Sequence, residues 1–343
     1  MTSPALFPVK VQVRAQADRA RVLFVIPGDG EGASMIFARR QAETLAAEGV
    51  EVRTFYLASR TSPRAVASEF LRFRAELARL RPLAVHAHFG TVTALFCALG
   101  CGGVPLVITY RGSDLNAPPA SFRWIDKLRA HCGRLFSQLA ALKARRIVCV
   151  SAPLLEKLWW GAARAAILPS GVDPATFRPS PRLLARKRLG WSAGPPVVLF
   201  NAGRDPRVKR LELAQAAVEF ARRRVPDLRM EVLDGHVHPK KVPDMMNAAD
   251  CLLLTSVSEG SPTVVQEALA SNLPVVSVAV GDVAERLRGV SDSTIAAADA
   301  GSLGHALANL LSPPRRSNGR LKLREFSAAA IARELKDIYE GLA

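Results

Sequence analysis

The sequence predicts an α/β protein built from two domains of similar construction. At 343 residues the chain is long for one hydrophobic core and sufficient for two domains of about 150 residues each. Short apolar runs that are typical of buried strands, such as residues 22–26 and 106–110, alternate with helical patterns. The same alternation starts again at residues 197–201, in the second half of the chain.

The composition, 49% hydrophobic and 22% charged, is that of an ordinary globular protein. The longest apolar tract, residues 95–110, contains three glycines and a proline, so we do not expect it to span a membrane. Residues 1–20 are polar and without a clear period, which predicts a loose leader and not a secretory signal. The five cysteines fit no zinc spacing and are expected to be reduced thiols of a cytoplasmic protein.

The formal net charge of +17 is distributed unevenly along the chain. Residues 1–178 carry 24 Lys and Arg against 12 Asp and Glu, and the remainder carries 23 against 18. Such a balance suggests an anionic partner, which could be nucleic acid, anionic lipid or a phosphorylated substrate. Frequent use of Arg by a GC-rich genome is the alternative explanation.

The first half begins with a strand at 22–26, a glycine-rich loop and a helix at 33–48. Gly28 and Gly30, which flank Asp29, allow the backbone to approach a ligand closely. The glycines do not fit the G-x-G-x-x-G register, so a dinucleotide site is only weakly indicated. Further strands are predicted at 50–57, 83–88, 106–110 and 147–150, with helices at 63–80 and 122–146 and a helix opening at 151–153 that ends at Trp159 and Trp160.

Two features near strand ends in the first half could serve a site. His86 and His88 share one face of their strand, but the sequence shows no third ligand for a metal. Arg111, Gly112, Ser113 and Asp114 directly follow the strand at 106–110.

The second half places cations and carboxylates after buried strands. Gly203, Arg204 and Lys209 follow the strand at 197–201 and precede a helix from about residue 211. A strand at 251–254 is followed by Glu259 and by a helix to about residue 271, with Ser261 as the expected cap and Pro262 at its first position.

That helix start suggests the kind of ligand. A helix N-terminus at the carboxyl end of a strand favours a phosphate. Glu259 and Glu267 lie on either side of it, and carboxylates accept hydrogen bonds from sugar hydroxyls. The stretch therefore suits a nucleotide sugar.

Glu259 and Glu267, with Gly260, Ser261, Pro262 and Thr263 between them, resemble the E-x7-E element of glycosyltransferase family 4, whose members are retaining enzymes of the GT-B fold. Residues 167–177 resemble the family's signature between its two domains. The resemblance extends over roughly residues 21–340. It implies two Rossmann-like domains with a deep cleft between them: an acceptor-side domain at 21–178, a donor domain at 179–325 and a final helix, 326–343, that crosses back to the first domain.

The resemblance also implies roles for the second half. Arg204 and Lys209 would stabilise the leaving diphosphate without a metal, Glu259 would orient the hexose, and Glu267 would hold the ribose. Gly203, together with Gly260, Ser261, Pro262, Thr263 and Val264, would complete the contacts to the donor. The donor would be a UDP- or GDP-linked sugar, and no cofactor is expected.

On the acceptor side the resemblance implies Gly28, Asp29, Gly30, His88, Arg111 and Asp114. Arg111 stands where the family pattern has histidine, and arginine can hold a phosphate or carboxylate but cannot act as a base. This difference suggests an acidic or phosphate-bearing acceptor. The resemblance also implies a glycan or lipid-linked acceptor. Because the excess charge lies in the first half, we further expect a contact with an anionic membrane surface, on the inner face of the cell membrane.

The interpretation is a retaining glycosyltransferase of cell-surface polysaccharide, glycolipid or lipid-linked glycan synthesis. A nucleotide-sugar epimerase of the same fold is the first alternative, and it would yield a new nucleotide sugar and no glycoside. A basic protein that binds nucleic acid is the second. Only 6% of the residues are aromatic, too few for a base-stacking surface, so no nucleic acid is expected.

Overall fold

The structure, a computed structural model, describes residues 21–31, 35–203 and 206–342. These residues form two β-sheets of six and five parallel strands, each flanked by helices. The predicted α/β architecture of two Rossmann-like units is therefore confirmed. The leader predicted for residues 1–20 lies outside the described residues.

The first sheet has the strand order β2-β1-β3-β4-β5-β6. Every residue of its central strands β3 and β4 is buried, as expected for a parallel sheet with helices on both faces. Its strands are β1 (Arg21–Pro27), β2 (Glu51–Leu57), β3 (Ala84–Ala87), β4 (Leu106–Tyr110), β5 (Arg146–Cys149) and β6 (Ala165–Ile167). The helices between them are α1 (Ile36–Ala47), α2 (Pro63–Leu80), α3 (Thr91–Gly100), α4 (Trp124–Lys143) and α5 (Ala152–Leu155).

Local signals explain why some helix bounds were predictable and others were not. Helix α2 begins as predicted because the Ser62 hydroxyl accepts a hydrogen bond from the Ala65 amide and Pro63 occupies the first position. Helix α3 was not predicted, and its second half overlaps the apolar tract at residues 95–110. Helix α5 ends at Leu155, so the prediction that it would reach Trp159 and Trp160 was wrong.

The second sheet has the strand order β11-β10-β9-β7-β8. Its strands are β7 (Val197–Asn201), β8 (Arg229–Leu233), β9 (Cys251–Leu254), β10 (Val275–Ser277) and β11 (Thr294–Ile295). The helices of this half are α6 (Arg182–Leu189), α7 (Pro206–Lys209), α8 (Leu211–Arg222), α9 (Val242–Ala248), α10 (Thr263–Ala270), α11 (Val283–Arg286) and α12 (Ala300–Leu310), followed by α13 (Ala328–Glu340).

A buried ion pair lies at the amino ends of the central strands of the second sheet, on the side away from the cleft. Asp250 accepts hydrogen bonds from Arg186 Nη2 at 2.7 Å and from the Val197 amide at 2.9 Å. Both side chains are almost fully buried, so removing Asp250 would leave the Arg186 guanidinium in the core without its ion-pair partner. The contact aligns the starts of β7 and β9, the strands that lead to the candidate site.

Helix α13 packs on the first sheet, far along the chain from the strands it covers. Its residues Ile331, Leu335 and Tyr339 are buried in a cluster with Val22 and Phe24 of β1. The Tyr339 hydroxyl lies 2.5 Å from Nδ1 of His86. The end of the chain therefore stabilises the first unit.

Each sheet reverses its strand order at one point, between β1 and β3 in the first and between β7 and β9 in the second. Ligands of open α/β sheets bind in the crevice at such points, beyond the carboxyl ends of the strands. Here the loops at both reversal points line the same cleft. The topology thus places one candidate site between the two units.

Candidate active site

The loops after β1, β3 and β4 face the loops after β7 and β9 across the cleft. A cavity of about 160 Å³ lies between them, lined on one side by Phe37 and Arg111 and on the other by Lys209, Glu259 and Thr263. A second cavity of about 390 Å³ continues from it and shares Phe37, Arg111, Lys209 and Glu259. Four side chains therefore stand at the boundary of both cavities.

Lys209 and Glu259 form an ion pair at the centre of this cleft. Lys209 is the last residue of α7, and its carbonyl accepts a hydrogen bond of 2.6 Å from the Thr255 hydroxyl, which ties α7 to the end of β9. The two charged side chains are only 20% and 14% exposed. Weak screening at such a site strengthens the attraction of the cation for any anion that enters.

The first turn of α10 lines the smaller cavity beside this pair, with Ser261, Pro262, Thr263 and Val264 in its wall. The helix begins at Thr263, and the prediction that Ser261 caps it was wrong. The Ser261 hydroxyl instead accepts a hydrogen bond of 2.9 Å from Gln266 Nε2, because Pro262 itself occupies the capping position. The cavity thus receives the positive end of a helix.

Gly203 lies close to Lys209, in the left-handed conformation with φ of +54°. Its amide donates to the Asn201 side chain at 3.0 Å, which turns the chain sharply at the end of β7. A Cβ at this position would lie 3.6 Å from Cε of Lys209. Arg204, the other predicted cation, lies outside the described residues.

Glu267 faces the first unit from the middle of α10. Its carboxylate accepts a hydrogen bond of 3.3 Å from Arg40 Nη1 of α1. Burial raises the pKa of this carboxyl to about 7, against the opposing attraction of Arg40. A third cavity of about 230 Å³ borders this ion pair and extends to Asp173 and Phe177.

Arg111 stands opposite Lys209, with its guanidinium among neutral groups. It donates to the Ser170 hydroxyl at 2.8 Å and contacts Nδ1 of His88 at 3.1 Å, and it lies 4.0 Å from the centre of the Phe37 ring. Burial lowers the pKa of the guanidinium to about 9, so it remains charged at neutral pH.

Asp114 organises this loop and is fully buried. Its carboxylate accepts hydrogen bonds of 2.8 to 3.0 Å from the amides of Gly90, Arg111 and Gly112. These contacts hold the ends of β3 and β4 together. The side chain therefore positions its neighbours in the acceptor-side wall.

The glycine-rich loop after β1 is described as far as residue 31. Gly28 and Gly30 both have positive φ, and a Cβ on Gly30 would lie 2.7 Å from the Tyr56 ring. Asp29 is exposed, and its carboxylate accepts a hydrogen bond of 3.0 Å from the Glu31 amide. The structure thus gives the loop a tight turn beside β2.

His86 of β3 and His88, which follows the end of that strand, do not converge on a metal. His86 contacts Tyr339 and Thr109, and His88 contacts Arg111, while their rings stack with centroids 4.1 Å apart. Burial lowers the pKa of both imidazoles well below the usual value, so both are neutral. Across residues 21–31, 35–203 and 206–342 no three His, Cys, Asp or Glu side chains are grouped to hold a metal ion.

Sequence reasoning missed two residues that join the walls of the cleft, Arg40 and Asn116. The Asn116 amide donates to the Ser258 hydroxyl at 2.8 Å and to the Glu259 carbonyl at 3.1 Å. Its own carbonyl accepts a hydrogen bond from Lys157. Nothing in the sequence marks an asparagine in a loop as a contact between domains, so only the fold reveals it.

Solved structures share this two-unit architecture along almost the whole chain. The sucrose-phosphate synthase from Thermosynechococcus elongatus superimposes with a TM-score of 0.77 at 18% identity, covering 94% of this chain and 99% of that one. HepE of Anabaena in complex with UDP-glucose gives a TM-score of 0.69 at 16% identity, covering 94% and 99%. The likeness shows that the fold is GT-B, as predicted.

Two family descriptions match the two halves of the chain. Glycosyltransferase Family 4 matches residues 28–176, and Glycosyl transferases group 1 matches residues 193–313. Together they cover most of the sequence. The chain belongs to the family 4, group 1 glycosyltransferases, and the resemblance inferred from the motifs is confirmed.

Curated sequences that are similar to this chain match it over only part of its length. TuaC of Bacillus subtilis (strain 168), which bears the name of a teichuronic acid biosynthesis glycosyltransferase, is 28% identical over 222 residues, 60% of this chain and 55% of that protein. The D-inositol 3-phosphate glycosyltransferase of Arthrobacter sp. (strain FB24) is 26% identical over 328 residues, which cover 74% of this chain and 76% of that protein. The chain thus spans little more than half the length of TuaC.

Proposed function

We propose that this glycosyltransferase moves a hexose-type sugar from a UDP- or GDP-linked donor to an acceptor, with retention at the anomeric carbon. The observation that carries the proposal is the Lys209–Glu259 ion pair beside the first turn of α10, at the reversal point of the second sheet. A cation and a helix N-terminus suit a diphosphate, and the adjacent carboxylate suits sugar hydroxyls. HepE, a neighbour in fold, is solved with UDP-glucose.

In this proposal the diphosphate displaces Glu259 from Lys209. Lys209 and Arg204 then stabilise the negative charge that develops as the bond from the anomeric carbon to the phosphate oxygen breaks. Gly203 and the backbone from Gly260 to Val264 complete the phosphate contacts, and the freed Glu259 orients the hexose. Glu267 takes the ribose, in place of its contact with Arg40.

We further propose that the new glycosidic bond forms on the face that the diphosphate leaves. The acceptor oxygen bonds to the anomeric carbon as its proton passes to the departing phosphate oxygen, so no separate base is needed. This route is consistent with the site: burial lowers the pKa of His88, whose Nδ1 faces the Arg111 guanidinium, so it is a weak base, and the cationic Arg111 cannot accept a proton. Both charges opposite the diphosphate come from the chain, so activity should survive EDTA.

The acceptor occupies the larger cavity in this proposal. Apart from Arg111, Lys209 and Glu259, its wall is largely apolar, with Met35, Phe37, Phe89, Pro119 and Phe122. Aromatic side chains offer contact area for sugar rings and for the apolar part of a lipid-linked acceptor. The pathway would be synthesis of a cell-surface polysaccharide, glycolipid or lipid-linked glycan.

We also propose that the enzyme works at the inner face of the cell membrane, docked through α4. This helix exposes Trp124, Leu128, Leu135, Leu139 and Leu142, and Trp159 and Trp160 are partly exposed nearby. Arg123, Arg129, Lys143 and Arg145 are exposed around them, and the one acidic residue between 121 and 146, Asp126, is only partly so. An apolar stripe with a basic border is typical of helices that lie in an anionic lipid interface.

Two further facts bear on docking. None of the helices in the described ranges is both long and apolar enough to cross a bilayer. The arginines of α2, which also lie in the basic first half, are less available, because Arg72 pairs with Glu69, Arg79 pairs with Glu76, and Arg74 donates to the Gly100 carbonyl. The basic surface is therefore concentrated on α4, and Phe122 just before it lines the larger cavity.

The test is a screen of the purified protein with UDP-, GDP- and ADP-sugars, with and without EDTA. Slow donor hydrolysis or glycoside formation is measured together with nucleotide affinity by calorimetry. We expect one nucleotide diphosphate to bind and its sugar to be released or transferred with retained configuration. Binding of no nucleotide diphosphate, an inverted product or a strict need for a divalent metal would contradict the proposal.

A further inference from the structure

Arg111 is a cation in a pocket of neutral partners. Its two closest polar contacts are a hydroxyl, Ser170, and an imidazole, His88. A guanidinium has five N–H donors, and Nε is buried without a hydrogen-bond partner among the described residues. Leaving a buried donor unpaired is costly, and the described part of the chain does not satisfy this one.

The imidazole partner adds a second unpaired donor. His88 is neutral, and its Nδ1 must accept the hydrogen bond from Arg111, because a guanidinium can only donate. The proton of the imidazole is then on Nε2, which is also buried without a partner among the described residues. The cluster therefore contains two buried N–H groups to which no described residue offers a hydrogen-bond acceptor.

Among the described residues, no carboxylate forms an ion pair with this cation. Asp114 is the nearest acidic influence, but its oxygens accept from three backbone amides and form no ion pair with Arg111 in the part of the chain that the structure describes. Removing a charge from water without a partner is unfavourable unless a ligand supplies the opposite charge. Glu259 across the cleft is already paired with Lys209.

The position of Arg111 decides which ligands it could meet. It lines both the cavity of about 160 Å³ beside α10 and the cavity of about 390 Å³ that opens away from it. On the proposed function, the transferred sugar lies in the first and the acceptor in the second. Arg111 is therefore within the walls of both, at the place where the two sugars meet.

We propose that Arg111 binds a carboxylate or phosphate group carried by one of the two sugar substrates, so that the enzyme acts on an anionic glycosyl substrate. This inference rests on the proposed function. A planar guanidinium can hold either group with two parallel hydrogen bonds. The anion could belong to a hexuronate donor or to an acceptor with a carboxylate or phosphate.

Matched ligands separate these two sources. For the donor arm, calorimetry compares the free nucleotide diphosphate, its neutral hexose derivative and its hexuronate derivative. For the acceptor arm, competition or transfer compares octyl glucoside, octyl glucuronide and octyl glucoside 6-phosphate. Each ligand is measured with the wild type, with Arg111→Gln, which loses the charge, and with Arg111→Lys, which keeps it.

In one arm the wild type should prefer the anionic ligand over the neutral one by about ten- to a hundredfold, the range for a charged hydrogen bond. Arg111→Gln should remove that preference and Arg111→Lys should retain part of it. A merely structural tie to Ser170 would instead weaken anionic and neutral ligands together, leaving their ratio unchanged. An unchanged ratio, or no anionic preference in either arm while the nucleotide binds, overturns the inference alone. Failure of every nucleotide to bind overturns the proposed function and this inference with it.

Discussion

The α-carbon of Gly260 faces the carbonyl oxygen of Arg111 so closely that a Cβ there would lie 2.1 Å from that oxygen. Gly112, which directly follows Arg111, also faces Gly260. A Cβ on Gly112 would lie 3.0 Å from the Gly260 amide nitrogen. Backbone therefore meets backbone where the two domains close. The conformation in which Lys209, Glu259 and Arg111 share one cleft depends on this contact.

Gly260→Ala should hold the cleft partly open. The added methyl cannot be accommodated against backbone without a shift of the domains, so we expect a loss of transfer activity of at least about tenfold, an effect of about 1.4 kcal/mol. Steady-state kinetics with the preferred donor measures it, and small-angle scattering reports the separation of the domains.

Gly194→Ala is the matched control for this variant, because Gly194 has no atom within 4 Å of its Cβ position and lies in the same domain. It should behave like the wild type. Wild-type activity in Gly260→Ala would show that the cleft need not close to the distance seen here.

Lys209→Ala and Arg204→Ala should each fold normally and lose most activity. Each removes a charged contact to the leaving diphosphate worth about 1.5–3 kcal/mol, or roughly ten- to over a hundredfold in rate if felt in the transition state. Initial rates give the loss, and circular dichroism checks the fold. Lys187→Ala, an exposed cation in the last turn of α6, controls for the removal of positive charge. Near-wild-type turnover in both site variants would refute the role assigned to these cations.

The Glu267 carboxyl should make stability depend on pH in an unusual direction for an acid. Its pKa is raised from 4.5 to about 7 by burial, so between these values the folded protein binds more protons than the unfolded one. The stabilising contribution of this carboxyl to the free energy of unfolding is therefore fully present below pH 4.5 and is lost as the pH rises through 7. The loss is at most about 3 kcal/mol.

Urea unfolding at pH 5 and pH 8, in wild type and Glu267→Gln, measures this effect. Gln keeps the shape and a donor and acceptor but does not titrate. The wild type should lose free energy of unfolding relative to Glu267→Gln on going from pH 5 to pH 8. A difference between the two proteins that is independent of pH would mean that Arg40 keeps the carboxylate ionised throughout.

The fold was predictable from the sequence because each half repeats apolar strands followed by helices with strong end signals. Strands β4 and β7 and helix α2 have the predicted bounds. The start of α10 was not predictable. A serine before a proline can cap the helix or, as here, can accept a hydrogen bond from the Gln266 side chain one turn further on. Both contacts are local, so the residue pattern alone does not choose between them.

The candidate site was predictable where one motif contained both partners and unpredictable where two domains supplied them. Glu259 and Glu267 are eight positions apart along the chain, whereas Glu267 and its partner Arg40 are 227 positions apart. Asn116 likewise reaches Ser258 from another domain. Such pairs leave no local pattern, because the topology alone brings them together.

The α4 surface should bind anionic vesicles through its apolar stripe as well as its charges. Trp124, Leu128 and Leu142 are 73%, 54% and 54% exposed, and burying such side chains in a lipid interface contributes a substantial part of the 1.5–3 kcal/mol that full burial of an apolar side chain is worth. The basic residues around them contribute on the order of 1 kcal/mol each near an anionic surface. Replacing all three by serine should therefore lower vesicle binding by at least about tenfold.

Sedimentation with neutral and anionic vesicles, at low and at high salt, measures this binding. The matched control replaces Leu71, Leu183 and Leu321 by serine; these are equally or more exposed leucines outside α4. If the control variant loses as much binding as the α4 variant, non-specific adsorption of exposed apolar side chains explains the result. If the wild type binds neutral and anionic vesicles equally, the basic residues around the apolar stripe contribute nothing to docking. If it binds neither at low salt, α4 does not dock on lipid. In that case the acceptor must reach the larger cavity from solution, and Phe122 and Pro119 contact its soluble glycan.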